Sequence, residues 1–222
     1  GVQTCALPIS YEADPAQFDP EEMYRNRLYM PDAGAAALAE AYLDRMMSEC
    51  NSVGGVVECV IDGLPAGVGD PVFEKYDASL AKAILSIGAV KGFEIGDGFQ
   101  AAKSVGSENN DAFRMDESGK IKKETNHAGG ILGGISDGSR VVLRAAFKPT
   151  PSIAQQQKTV TRGMEETDIA IKGRHDPIIV PRAVVVVEAM AALTTADLLL
   201  LSMTSRLDRI QGFFGVHNTE QL

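Results

Sequence analysis

The chain has 222 residues, 45% of them hydrophobic, with 21 basic against 30 acidic residues and a formal net charge of -9. Such length and apolar content exclude a largely disordered chain and allow a sizeable core, while the acidic balance argues against a general nucleic-acid surface. The three cysteines, Cys5, Cys50 and Cys59, have no paired or metal-type spacing, which argues against a disulfide framework and favours a reducing, cytoplasmic setting.

Gly1 to Ser10 lacks both an initiating methionine and the basic segment that precedes the apolar core of a signal peptide. It resembles the translation of a sequencing-adapter oligonucleotide. Residues 1–10 are therefore expected to be non-native, with native sequence beginning near Ser10 or Tyr11 and Cys5 without meaning; an ordinary flexible N-terminus is the alternative. Phe18 to Met30 reads as a charged lead-in to Pro31-Asp32. Asp32 is placed to cap a helix over 33–50, in which Leu38, Ala41, Tyr42, Arg45 and Met46 follow a three-or-four spacing. After the break at Asn51 to Gly55, the β-branched run Val56 to Ile61 predicts a strand. A Gly- and Pro-rich span follows, 63–70. Asp77 or Ser79 then caps a helix through Leu80, Ala83, Ile84 and Ile87, and Gly88 to Ile95 predicts a second strand. The order strand, helix, strand is βαβ-like.

The polar span 106–125 reads as an exposed, mobile loop of the kind that forms lids. Ile131 to Ile135 and Arg140 to Phe147 flank Ser136-Asp137-Gly138-Ser139, whose Asp-Gly pair predicts the hairpin turn. Lys148-Pro149 ends the second of these strands, and 159–171 reads as a further extended segment. Pro181 suits the first turn of a long helix from Arg182 to about Leu207. Ala183 to Leu201 approaches membrane-spanning length but contains Glu188 and Asp197. An aspartate at a bilayer centre costs about 2.5 to 3.5 kcal/mol, so a buried helix of a soluble protein is expected, with no membrane partner. Regular elements cross every candidate boundary and predict one domain.

Asn126 to Ile135 holds four glycines in two pairs behind an asparagine and a histidine. That backbone can approach a ligand closely, and it equally suits a tight hairpin. It is neither G-x-G-x-x-G nor a P-loop. Lys148-Pro-Thr-Pro-Ser152 presents an ammonium and two hydroxyls on a stiff segment, which suits a phosphate or a rigid strand exit. Arg174-His175-Asp176 stands before Pro177 and a helix entrance, as an anion site or as an ion-pairing cap. His127 and His175 have no third ligand at a recognisable spacing, so no metal is expected. Glu188 reads as a structural partner, for instance of Arg182 or of a neighbouring subunit.

Lys91 to Phe99, Asn126 to Ile135, Lys148 to Ile153, and Gly173 to Pro177 continuing to Glu188-Ala-Met190 together resemble chorismate synthase, in order and spacing, from about Met30 to about Leu207. The resemblance implies an α+β fold, a partial βαβ sandwich, with residues 11–222 as the C-terminal portion of a single domain that forms a homotetramer. It implies reduced FMN and the 1,4-anti elimination of phosphate from 5-enolpyruvylshikimate 3-phosphate to give chorismate, the last step of the shikimate pathway, without net redox change. Whether flavin is reduced with NADPH or by a separate reductase stays open. Carried over by position, FMN contacts fall on Gly88, Ala89, Gly133, Lys148, Pro149, Thr150, Pro151, Ser152 and Arg174. Arg174 would also meet the substrate, Asp176 would handle a proton at flavin N5, and Asn126 would shape the same pocket.

Two departures accompany the likeness. The family's N-terminal region, with its two catalytic histidines and further arginines, has no counterpart here, and neither His127 nor His175 lies in the right motif to replace them. The family's cysteine before Pro-Asp is Met30. The chain is expected to be inactive alone; the alternative is a non-catalytic flavin- or phosphate-binding or oligomerisation fragment.

Overall fold

The computed structural model describes residues 2–7, 19–117, 119, 121–173 and 175–215. The first strand, β1 (Val2–Leu7), lies within the segment expected to be adapter-derived and forms one edge of the main sheet. Its neighbour in space is β2 (Gly55–Ile61), with antiparallel pairing along its whole length. Between them in sequence comes the lead-in, which wraps around Asn26. The Asn26 side chain accepts from Leu28 N and Met30 N and donates to Met30 O, turning the chain so that Met30 is fully buried.

Helix α1 (Ala33–Ser48) starts where the sequence places it. Asp32 Oδ1 accepts from Gly34 N at 2.8 Å and Ala35 N at 3.0 Å, satisfying two of the donors that a helix start leaves unpaired. Ala35, Ala36, Ala39 and Leu43 bury its inner face against Leu28 and Met30 in a small separate core, with Val53 and Ile178 packed beside it.

Helix α2 (Tyr76–Leu85) then links β2 to β3 (Val90–Ile95). The expected cap is corrected: Lys75 holds the N-cap position and makes no side-chain cap bond, while Asp77 and Ser79 lie inside the helix. The backbone supplies a substitute, because Tyr76 N donates to Gly134 O at 2.8 Å. The span read as a mobile loop contains a one-turn helix α3 (Gly106–Asn109) and a hairpin of β4 (Phe113–Met115) and β5 (Ile121–Lys123).

The hairpin expected at Asp137-Gly138 turns instead at Gly133-Gly134. There β6 (Ile131–Leu132) pairs with β7 (Ile135–Ser136), leaving a two-residue loop whose φ values are +59° and +85°. Two positive φ values define the turn that matches strand twist, and two glycines meet that demand with no Cβ penalty. Asp137 is drawn elsewhere, into an ion pair with Lys123.

Strand β8 (Val141–Phe147) inserts between β2 and β3, antiparallel to both, giving the order β1-β2-β8-β3. Thus β2 and β3 run parallel to each other, a βαβ unit split by a strand from later in the chain. Both β2 and β8 alternate buried with half-buried residues, as strands covered on one face do. The segment expected to be simply extended after residue 159 is a third hairpin, β9 (Gln157–Val160) with β10 (Glu166–Ile169).

Helix α4 (Val180–Met203), with Pro181 in its first turn, and α2 cover one face of the sheet. Val180, Val184, Val187, Ala191 and Leu198 meet Val57, Cys59, Val141, Leu143, Tyr76, Leu80 and Ile84 in the main core. Tyr76 Oη and Thr195 Oγ1, 2.7 Å apart, satisfy each other inside it. The helix ends four residues before the expected Leu207, which instead opens α5 (Leu207–Phe213). At the break, Thr204 and Ser205 hydroxyls donate to Leu201 O and Ser202 O, taking up the last carbonyls of α4. The architecture is α+β.

Candidate functional site

The site begins where β8 leaves the sheet. Lys148 N donates to Ala89 O at 2.9 Å, joining the strand exit to the turn before β3. Ala89 has φ +72°, a left-handed conformation that costs a residue bearing a Cβ about 1 kcal/mol or more. Lys148 is exposed and makes no ion pair with another described residue. Beyond it, Pro149 and Pro151 remove two backbone donors and stiffen the loop. Between them the Thr150 hydroxyl is buried with no hydrogen-bond partner among the described residues, a state that ordinarily costs about 1–3 kcal/mol.

A second strip of chain, the connection from α1 to β2, holds this loop from behind. Ser52 Oγ donates to Thr150 O at 2.7 Å, and Gln155 Nε2 donates to Glu49 O at 2.7 Å. Gly54 lies so close that a Cβ there would stand 2.3 Å from Phe147 O and 3.2 Å from Pro149 Cδ. Sequence reading missed this strip, because nothing in Asn51 to Gly55 points to residues so far along the chain.

Asp176 reaches the same end of the sheet. Val53 N donates to Pro177 O at 2.8 Å, and Val53 bridges Ile178 in parallel. A cavity of about 180 Å³ opens there, lined by Cys50, Asn51, Ser52, Ile153, His175 and Asp176 among others. The Asp176 carboxylate accepts from Arg182 Nη1 at 2.8 Å, with 36% side-chain exposure. Arg182 is therefore partnered by Asp176 and not by the expected Glu188. His175 Nε2 lies 3.1 Å from Ile171 O. Arg174 lies outside the described residues.

Gly88, Ala89, the Lys148 to Ser152 loop and Asp176 thus converge, whereas Gly133 does not. It occupies the β6–β7 turn beside the start of α2, at the opposite end of β8, which at about 3.3 Å per residue spans roughly 20 Å. Gly133 is nevertheless distinctive within its run. A Cβ on Gly129, Gly130 or Gly134 would strike Gly96, Arg140 or Lys75 at 2.5 Å or less, while at Gly133 it would meet nothing within 4 Å. Three of the four glycines serve internal packing, and one faces open space.

Asn126 belongs to a different arrangement from the pocket expected of it. Its amide donates to Arg140 O at 2.8 Å, and its Oδ1 accepts from Lys123 Nζ at 3.1 Å. Lys123, at 3% side-chain exposure, also lies 3.1 Å from Asp111 and 2.8 Å from Asp137. Burial pushes the Asp111 carboxyl up. The opposing hydrogen bonds from Ala128 N, the Thr125 hydroxyl, His127 N and Lys123 outweigh it and hold the group well below the usual carboxylate range. Asp137 is likewise lowered, burial being overcome by Lys123 and Ser139. His127 Nδ1 lies 3.1 Å from Asp111 Oδ1 without the alignment of a hydrogen bond. This cluster fixes the glycine run to the body of the protein.

A larger cleft, about 610 Å³, runs between α2 and α4 and is lined by Asp70, Glu74, Ser79, Lys82, Leu193 and Asp197 among others. It contains none of the residues predicted to act. The smaller cavity is lined by Asp176 and by Ile153 at the end of the Lys148 loop, and at 180 Å³ it is less than the roughly 300–1,000 Å³ of ordinary ligand pockets. The loop presents the exposed Lys148 ammonium and the buried Thr150 hydroxyl, and the cavity wall beyond it presents the Asp176 carboxylate fixed by Arg182. Those groups suit an anionic ligand and proton transfer beside it.

The family model for chorismate synthase matches residues 3–200. The chain is 66% identical over 197 residues to a chorismate synthase of Agathobacter rectalis, covering 89% of this chain and 53% of that protein. It is 60% identical over 194 residues to the chorismate synthase of Lachnoclostridium phytofermentans, covering 87% and 53%. A crystal structure of chorismate synthase superposes with a TM-score of 0.72 at 27% identity, covering 97% of this chain and 62% of that one. The chain spans about half the length of the curated relatives it matches.

Proposed function

The chain belongs to the chorismate synthase family, and from that premise we propose that the cluster around Ala89, Lys148 to Ser152 and Asp176 is the FMN-facing part of an active site. The full-length protein would eliminate phosphate from 5-enolpyruvylshikimate 3-phosphate to give chorismate, acting in the cytoplasm as a homotetramer. The observation that carries this reading is the loop between Pro149 and Pro151. Its Thr150 hydroxyl is buried without a partner among the described residues, and the exposed Lys148 ammonium at the start of the loop is likewise unpaired among them. Both fit the anionic groups of a flavin mononucleotide.

Reduced FMN, when bound, supplies the electron density that helps the substrate's phosphate leave. The chain's own residues then have separate tasks. Lys148 draws the anionic ligand to the loop through charge-assisted hydrogen bonds. The two prolines keep the loop in place, so little entropy is lost on binding. Asp176, held through its Oδ2 by Arg182, takes up or returns a proton at the cavity wall. Arg174, in the family motif, is assigned to the substrate side.

Gly133 faces open space away from this cluster, and the cavity is small for a flavin. Both features support a site whose remaining walls come from outside this chain, either from the rest of the family's length or from another subunit. The chain therefore reads as the C-terminal portion of one chorismate synthase domain, able to bind flavin but short of a complete catalytic set.

Titration of FMN into the chain, followed by flavin fluorescence, tests the assignment. Lys148→Ala should raise Kd about 10- to 100-fold, the scale of one charge-assisted hydrogen bond at about 1.5–3 kcal/mol. An unchanged Kd would remove Lys148 from the site. Assayed with reduced FMN and the enolpyruvyl substrate, the chain alone should form no chorismate; measurable turnover would overturn its incompleteness.

A further inference from the structure

We infer that the connection Glu49 to Gly54 is a clasp that sets the position of the Lys148 to Ser152 loop relative to Asp176, with Ser52 as its positioning residue. The inference rests on the flavin-site reading above. This short strip holds both halves of the site. Toward the loop, Ser52 Oγ donates to Thr150 O and Gln155 Nε2 donates to Glu49 O, each at 2.7 Å. Toward Asp176, the adjoining Val53 donates to Pro177 O at 2.8 Å and bridges Ile178.

The loop needs such an anchor. Its prolines at 149 and 151 supply no N–H, so the loop is poorly equipped to hold itself through its own backbone. Ser52 engages the one residue lying between those prolines. That same residue carries the orphaned buried hydroxyl, so the bond from Ser52 fixes where the Thr150 Oγ1 is offered.

The clasp is itself constrained. Cys50 adopts φ +53°, Asn51 N donates to Met46 O at 2.8 Å, and Asn51 Oδ1 accepts from Ser52 N at 2.9 Å. Behind it, Gly54 has no room for a side chain against Phe147 O and Pro149 Cδ. Ser52 therefore presents its hydroxyl from a strip with little freedom to shift. A 1 Å displacement of such a support is enough to degrade a site assembled from several segments.

Ser52→Ala, Ser52→Thr and wild type should be compared as the full 222-residue chain by three measurements: hydrogen exchange without flavin, thermal melting, and FMN titration. Ser52→Ala should speed exchange at least fivefold in peptides covering 148–156 and 172–179 while leaving β8 and α4 unchanged. It should also raise the FMN Kd at least fivefold, and Ser52→Thr, which keeps the hydroxyl, should restore Kd to within about threefold. Faster exchange with an unaltered Kd overturns the positioning role and leaves the flavin site standing. Unchanged exchange overturns the clasp itself. If wild type binds no FMN while Ser52→Ala still loosens both peptides, the flavin-site reading fails and takes the positioning role with it, although the clasp survives as a structural contact. Should Ser52→Ala not fold, Ser52→Cys, which keeps the shape with a weaker donor, takes its place. A Cys variant that binds FMN as wild type does would then count against the proposal.

Discussion

Lys123, at 3% side-chain exposure, is surrounded by two carboxylates and an asparagine. Replacing it by methionine would leave Asp111 and Asp137 buried without their counter-ion, at a cost of about 3–5 kcal/mol, measurable by urea unfolding. Both carboxyls titrate lower in the folded protein than in the unfolded chain. Their contribution is thus complete above the ordinary carboxylate pKa of about 4 and is lost as pH falls below it, because the unfolded chain binds protons first. The melting temperature should drop steeply on acidification below about pH 4, and the drop should be shallower in Lys123→Met; parallel pH profiles for the two proteins would refute the assignment. None of this was legible from composition. Lys123 stands beside the exposed Lys122 in a polar span, and its partners lie 12 and 14 residues away. Asp32 was legible, because a cap is a contact with the next three residues.

At the scale of elements, local signals sufficed for α1, β2, β3, β8 and α4, whose apolar spacing and end residues lie within their own segments. They failed where the decisive partner was remote. The start of α2 is completed by Gly134 O and not by Asp77 or Ser79. Two turn signatures lay a few residues apart, Gly133-Gly134 and Asp137-Gly138; the glycine pair takes the turn, while Asp137 is paired with the remote Lys123. The glycines of that run should respond unequally to substitution. Gly129→Ala would drive a Cβ to 2.4 Å from Gly96 N, a backbone clash. The variant should lose about 2 kcal/mol or more in denaturant unfolding. Gly133→Ala meets only its left-handed φ, so its cost should stay near 1 kcal/mol. Equal losses would mean that strain alone, and not the approach of the Gly96 turn, governs this region.

Across the whole molecule, the family motifs identified in the sequence prove to be of two kinds. Lys91 to Phe99 and Asn126 to Ile135 meet backbone to backbone at Gly96 and Gly129 and stabilise the fold. Lys148 to Ile153 and the residues around Asp176 gather at the other end of the sheet, where the cavity lies. The separation could not be read from spacing along the chain, since it depends on β8 carrying the chain from one end of the sheet to the other. Leu143, at 0% exposure near the middle of that strand, touches the core on which both ends depend. Leu143→Ala should cost about 2–5 kcal/mol. If the sheet is the shared frame, the melt should stay a single transition seen alike at both ends; separate transitions would show the two ends to be independent.

The late arrival of β8 also bears on how the protein is made. β2 and β3 emerge from the ribosome first, each with one ladder edge that only β8 can satisfy. At about 5–20 residues per second, the wait from Ile61 to Phe147 is on the order of ten seconds. During that interval the Val56, Val57 and Cys59 row of β2 lacks one of its neighbours, a template for pairing with another nascent chain. Chaperone occupancy on translating ribosomes should therefore rise after Ile61 has emerged and fall once Phe147 is clear.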